Sequence, residues 1–191
     1  MCKNQSMETV STIGHSNRTI EEFIALLNQN GIACLLDIRT VPKSRHNPQF
    51  GQDRLPGALA AADIEYRYLA GLGGLRRPRP DSPNGGWRNA SFRGYADYMQ
   101  TDAFAKNVDT VVALAEDRRC ALMCAEAVPW RCHRSLVADA LLVRGIAVEE
   151  IIGPQKPRPH QLTSFAKVEG ARITYPSDSQ LQQEAQGNLL F

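Results

Sequence analysis

Apolar and polar positions along the chain fall into short blocks whose period changes repeatedly. Val10 to Gly14 is a short apolar run, read as a strand, that ends in a polar GHSNRT loop. Ile20, Phe23, Ile24 and Leu27 then recur on one helical face. Thr19-Ile20-Glu21-Glu22 ahead of them fits a capping box, in which the Thr hydroxyl accepts from the third helical amide while the Glu reaches back. Gly31 supplies a helix stop. Ile32 to Ile38 is almost continuously apolar with Asp37 near its end, as suits a strand buried on both faces of a parallel sheet. Strand, helix and strand in this order form a βαβ unit.

The pattern continues with a short helix over Leu55 to Ala62, weakened by Pro56 and Gly57, and an alternating strand over Ile64 to Leu69. Gly71 to Asn89 is too rich in glycine and proline for regular structure, and a loop of that length is usually functional or mobile. Helical spacing returns from Tyr95, most regularly from Phe104 to Glu116. Cys120 to Met123 reads as a strand, followed by a polar break, a helix to about Arg144, a stop at Gly145 and a last strand over Ala147 to Ile152. A short helix is expected near Leu162 to Lys167. This order predicts an α/β fold: a single-domain three-layer sandwich around a mostly parallel sheet of about five strands. The domain is expected over residues 9–175, with residues 1–8 disordered. Residues 176–191 form a tail, polar until Leu189-Leu190-Phe191, that is disordered or packs on a neighbour.

With 191 residues, 43% of them apolar and 22% charged, the chain can bury one proper core. The net charge of +2 excludes strong bulk attraction to nucleic acid or membrane. Its distribution matters more, because ten basic residues against four acidic ones lie between Arg39 and Arg93. Such a local field steers anions, although solvated loop arginines give the same count. No apolar run approaches a membrane span, and the first residues lack a signal-peptide pattern. Five cysteines without a small-domain disulfide spacing fit a reducing, cytoplasmic location, with Cys34 a small buried hydrophobe.

The polar break within Cys120 to Leu142 holds Cys124, Glu126, Arg131, Cys132, His133 and Arg134. In open parallel sheets, ligands bind beyond the carboxyl ends of the strands. That edge collects His15 and Ser16 after the first strand, Asp37 and Arg39 after the second, Gly73 and Gly74 after the third, and the cysteine cluster after the fourth. Cys132 at a helix start, beside His133 and Arg134, has the setting of a nucleophilic thiolate. Cys124 is the other candidate, with Glu126 carrying the proton and Asp37 assisting. Arg39, Arg45 and Arg134 are the expected anion holders. The bland alternative packs Cys124 at a strand end and turns Cys132 into the core. Phosphatase and rhodanese loops arrange a cysteine and an arginine similarly, but six residues separate Cys124 from Arg131 and the phosphatase signature is absent. The spacing also lacks the C-x2-C of structural zinc sites, so no metal or other cofactor is evident. A mixed set of Cys124, Cys132 and His133 with Glu126, His15 or His46 is the metal alternative. A redox disulfide between the two cysteines needs Cα atoms within about 7 Å. Arg76-Arg77-Pro78-Arg79-Pro80 with Trp87 and Arg88 suits either a nucleic-acid contact or a lid over an anionic small molecule.

The segments TIGHSNRTIEEFIALL, LLDIRTVPKSRHNPQF, IEYRYLAGLGG, LMCAEAVPWRCHRSLVADAL and HQLT together resemble the DUF488 family of uncharacterised prokaryotic proteins, from about Thr9 to Tyr175. The resemblance implies recurrent positions at His15, Ser16, Asp37, Arg39, Pro42, Ser44, Gly73, Gly74, Cys124, Glu126, Cys132, His133 and Arg134. It also implies a cytosolic α/β protein, and it carries no reaction with it. The expected function is a cysteine-dependent hydrolase or transferase acting on an anionic small molecule or nucleotide, with nucleic acid as an alternative partner and no membrane. The competing expectations are a non-catalytic metal- or nucleic-acid-binding module using the same edge, and a partner-binding fold whose polar edge is structural.

Overall fold

The computed structural model of the chain describes residues 9–187. Its elements are β1 (Thr9–Gly14), α1 (Ile20–Gln29), β2 (Cys34–Asp37), α2 (Leu55–Ala60), β3 (Glu65–Tyr68), α3 (Ala90–Tyr98), α4 (Asp102–Asp117), β4 (Cys120–Cys124), α5 (Arg134–Leu142) and β5 (Ala147–Ile151). Short β6 (Arg158–Pro159), the hairpin β7 (Lys167–Glu169) and β8 (Arg172–Thr174), and α6 (Asp178–Gly187) follow. The main sheet has the order β3-β2-β4-β1-β5-β6. The first five strands are mutually parallel, and β6 joins β5 antiparallel.

Side-chain alternation along the strands separates two cores, which makes the fold a three-layer α/β sandwich. Ile13, Leu35, Ala121 and Met123 pack with Phe23 and Leu27 of α1 and with Leu55 and Leu59 of α2. Val10, Leu36, Cys120 and Leu122 face the other way, onto Tyr95, Phe104, Val108 and the apolar side of α5. The predicted capping box of α1 forms, with the Glu22 amide donating to Thr19 Oγ1 at 3.2 Å and the Thr19 amide to Glu22 Oε2 at 2.9 Å. Gly31 and Gly145, at φ 63° and 81°, turn the chain out of α1 and α5.

Several expectations need correction. The helical pattern after Tyr95 is two helices, because Thr101 caps a fresh start at α4. The helix expected over 162–167 does not form: Thr163 is bound to Asp139 through both its amide and its hydroxyl, and Lys167 begins β7. Part of the polar tail is α6. The loop over 71–89 is tied down, since Asp97 accepts from the Arg79 amide, Ser82 Oγ and Asn84 Nδ2. Arg76 within it lies 3.6 Å over the Tyr98 ring. The expectations for residues 1–8 and for Leu189-Leu190-Phe191 lie outside the described residues. Among those described, no helix is long and apolar enough to cross a membrane.

Candidate functional site

Strand register places the chemistry. Gly14 lies beside Cys124, and Asp37 beside Met123, so β1, β2 and β4 end together. The exits are laced by backbone bonds: His15 N to Cys124 O at 3.0 Å, Ser16 N to Ala125 O at 2.9 Å, and Ile38 N to Met123 O at 3.0 Å. Ser16 sits at φ 51°, a left-handed conformation uncommon for a residue with a side chain and often found at functional sites. A cleft of about 760 Å³ opens above this edge, and His15, Ser16, Arg39, Gly74, Cys124, Glu126, Cys132 and His133 all line it.

Beneath the cleft lies Arg134, only 1% exposed. Its Nη1 donates to Cys124 Sγ at 2.8 Å and to the Glu126 carbonyl at 2.5 Å, while Nη2 donates to the Ala127 carbonyl at 3.0 Å. No carboxylate among the described residues forms an ion pair with it. Burial lowers Arg134 to about 10, against the pull of Glu150 and Glu126, so it is still a cation at neutral pH. A buried cation with only carbonyl and sulfur acceptors favours negative charge on the sulfur. Once the Cys124–Cys132 pair is reduced, this contact would favour a thiolate at Cys124.

Cys124 and Cys132 are paired as a disulfide, with Cα atoms 7.5 Å apart. That separation lies just beyond the span of about 7 Å expected for a relaxed bridge. Cys132 Sγ also accepts from the Arg134 amide at 3.4 Å, the first amide of α5, where unpaired helix donors favour negative charge. His133 Nδ1 lies 3.6 Å from the same sulfur. Its Nε2 faces the Ile38 carbonyl at 3.0 Å, and a carbonyl only accepts, so Nε2 carries the proton and Nδ1 offers a lone pair to Cys132. Burial lowers His133 to about 4, partly countered by the bond to Ile38, and keeps it neutral. The Gly74 backbone packs so closely against this ring that a Cβ there would overlap it.

Asp37, Arg39 and His15 form the opposite wall. Asp37 is fully buried and takes Arg39 Nε at 2.9 Å and Nη2 at 2.6 Å, with Tyr66 Oη donating at 2.8 Å. Arg39 Nη1 points to His15 Nε2 at 3.4 Å. His15 Nδ1 donates to the Ser16 carbonyl at 2.8 Å, which leaves Nε2 as the acceptor. Burial, with the Arg39 charge adding to it, lowers His15 to about 4. Phe50 stacks on the ring at 4.4 Å.

Four expected site residues do not reach the cleft surface. Asp37 and Arg134 act from behind it, positioning Arg39 and Cys124. Gly73 packs against Thr40, and Arg45 is exposed outside the cleft lining. In their place the cleft carries Lys43 and His46 from the loop after β2, Arg131 from the turn before Cys132, and Asn89, Ser91 and Phe92 at the start of α3. The Arg39–Arg93 charge excess foreshadowed the Lys43 side. Nothing periodic in the sequence marks the α3 contribution, which comes from packing across the long loop. Among the described residues, no group of three or more His, Cys, Asp or Glu is arranged to hold a metal.

A protein-family model described as "Domain of unknown function DUF488" matches residues 19–141, well over half of the chain. The chain belongs to the DUF488 family. The DUF488 match begins at Thr19, the residue that caps α1, and ends inside α5, so it includes Arg39, both site cysteines, His133 and Arg134. His15, Ser16 and the HQLT segment lie outside the match, which is narrower than the stretch of resemblance. The comparisons with curated proteins and with solved structures returned no match.

Proposed function

We propose that this DUF488 protein is a cysteine-dependent enzyme, a hydrolase or transferase, acting on an anionic, phosphate-bearing substrate of nucleotide or nucleic-acid kind. The observation that carries the proposal is the buried Arg134 guanidinium bonded to Cys124 Sγ without a carboxylate partner among the described residues. Cys124 is the nucleophile. Cys132 and His133 stand beside it as proton carriers, and Glu126, exposed at the cleft rim, exchanges protons with solvent. Lys43, Arg131 and Arg39 supply the cationic lining, with Arg39 held in place by Asp37. The cleft volume falls within the range of small-molecule sites. Cys34 and Cys120, buried neighbours across β2 and β4, are free thiols beside the Cys124–Cys132 disulfide, and the proposal places the protein in a reducing, cytoplasmic setting in which that bridge opens.

The test is iodoacetamide mapping of the reduced protein by mass spectrometry, with and without adenosine monophosphate or pyrophosphate. Cys124 is expected to react far faster than Cys34 and Cys120, and either anion is expected to slow it. A Lys43→Ala/Arg131→Ala double variant should lose that protection. Equal rates at Cys124 and Cys34 remove the nucleophile from the proposal, and absence of protection removes the anionic substrate.

A further inference from the structure

We infer that Cys124 and Cys132 act as an attacking and resolving pair, giving the cleft a dithiol–disulfide exchange activity toward small anionic disulfides. The inference rests on the proposed Cys124 nucleophile and adds the identity of the electrophile, which is sulfur.

Three features of the site support it. First, the sulfurs meet at the floor of an open cleft, and both residues line it. The other adjacent pair, Cys34 and Cys120, is sealed in the sheet with no exposure. A nucleophile needing only a proton acceptor has no use for a second sulfur in contact with it. Second, the Arg134 guanidinium, 2.8 Å from Cys124 Sγ, would stabilise the thiolate that reduction of the Cys124–Cys132 bridge releases. Stabilising the reduced form makes a disulfide a readily reduced, catalytic one and not a permanent staple. Third, the resolving thiol has its own proton acceptor, the lone pair on His133 Nδ1.

The steps balance. Cys124 thiolate attacks one sulfur of R–S–S–R′, forming Cys124–S–S–R and expelling R′–S⁻. Cys132 gives its proton to His133 Nδ1, and its thiolate attacks Cys124 Sγ. That breaks the mixed disulfide, forms the Cys124–Cys132 bond and releases R–S⁻, which takes the proton from His133. One electron pair passes from the protein dithiol to the substrate disulfide, and a low-molecular-weight thiol reductant restores the dithiol. Lys43 and Arg131 in the cleft favour substrates bearing phosphate or carboxylate.

The experiment incubates reduced protein with coenzyme A disulfide, which is anionic, or with cystamine, a cationic disulfide, and follows released thiol and intact mass. The wild type is expected to end with a Cys124–Cys132 bridge and to release both halves of the disulfide as thiols, faster with coenzyme A disulfide. Cys132→Ser is expected to stop at a stable mixed disulfide on Cys124 and to release one half. The thiol yield of the wild type serves by itself if that variant fails to fold. The inference is overturned if the wild type stops at the mixed disulfide, if exchange occurs at Cys34 or Cys120, or if cystamine reacts as fast. Rapid alkylation of Cys124 with no exchange would overturn the inference and leave the nucleophile standing, whereas absence of both would remove the two together.

Discussion

Arg134 is the side chain on which the proposed thiol chemistry turns, because a guanidinium buried this deeply must find acceptors inside the protein. It finds two carbonyls and Cys124 Sγ, and its Nε is left without a partner. The planar fork matters as much as the charge, since one nitrogen serves the sulfur and the Glu126 carbonyl together while the other reaches Ala127. Lysine lacks that geometry. Arg134→Lys is therefore expected to slow alkylation of Cys124 at neutral pH by about tenfold, the effect of roughly one unit in thiolate stability. Alkylation kinetics with mass-spectrometric site assignment measure it, and an unchanged rate would show that Arg134 is only a structural plug. In the sequence Arg134 stood out as a neighbour of Cys132 and as an expected anion holder. Its actual partner, Cys124, lies ten positions away across the loop.

At the scale of elements, the site depends on how closely the end of β1 approaches the loop joining β4 to α5. Gly14 has no room for a side chain: a Cβ there would overlap the Glu126 carbonyl oxygen and press on Arg134 Nη1. Gly14→Ala must push the loop away, at a cost of about 1–3 kcal/mol in unfolding free energy. It should also lower Cys124 reactivity, because Glu126 and Cys124 share one donor nitrogen. Urea denaturation and alkylation read the two effects, and loss of stability without loss of reactivity would uncouple the loop from the thiol. The elements themselves were legible where local chemistry decides them. Thr19 and Glu22 announced the start of α1, and apolar runs announced β1, β2 and β4. The segment after β5 was not legible, because distant partners shape it. Asp139 gathers His160 at 2.9 Å, the Thr163 hydroxyl at 2.7 Å and Tyr175 Oη at 2.8 Å, from 21, 24 and 36 residues away. No local period encodes such a convergence.

Across the whole molecule, the histidines set opposing pH limits. Burial alone would lower His160, but hydrogen bonds and charge from Asp139 and Glu150 outweigh it and raise His160 to about 9. Its folded value exceeds the ordinary 6.5, so its stabilising contribution is complete below about pH 6.5 and fades as pH rises toward 9. His15 and His133 are lowered to about 4, so stability falls as pH drops from 6.5 toward 4, where the unfolded chain binds protons that the folded chain refuses. Urea midpoints should therefore peak near pH 6.5. His160→Gln should flatten the alkaline side, removing on the order of 2 kcal/mol after allowance for solvent screening. An alkaline limb that persists in His160→Gln would assign that loss to other groups.

The carboxyl edge of the sheet as the candidate site's place followed from the alternation of strands and helices and the polar residues at the strand ends, since parallel strands send their carboxyl ends to one side. Which residues stand on the cleft surface did not. Arg39 and Arg45 were both expected to hold an anion and Asp37 to assist the chemistry, and only packing separates a buried brace and a solvated arginine from Arg39 and Lys43, which line the cleft. The most direct measurement is the pH profile of Cys124 alkylation in the fully reduced protein. A rate already at its plateau at neutral pH, with Cys34 and Cys120 unreactive, is the expected result. A rate that still climbs through about pH 8.5, as for an ordinary cysteine, would contradict the Arg134-held thiolate.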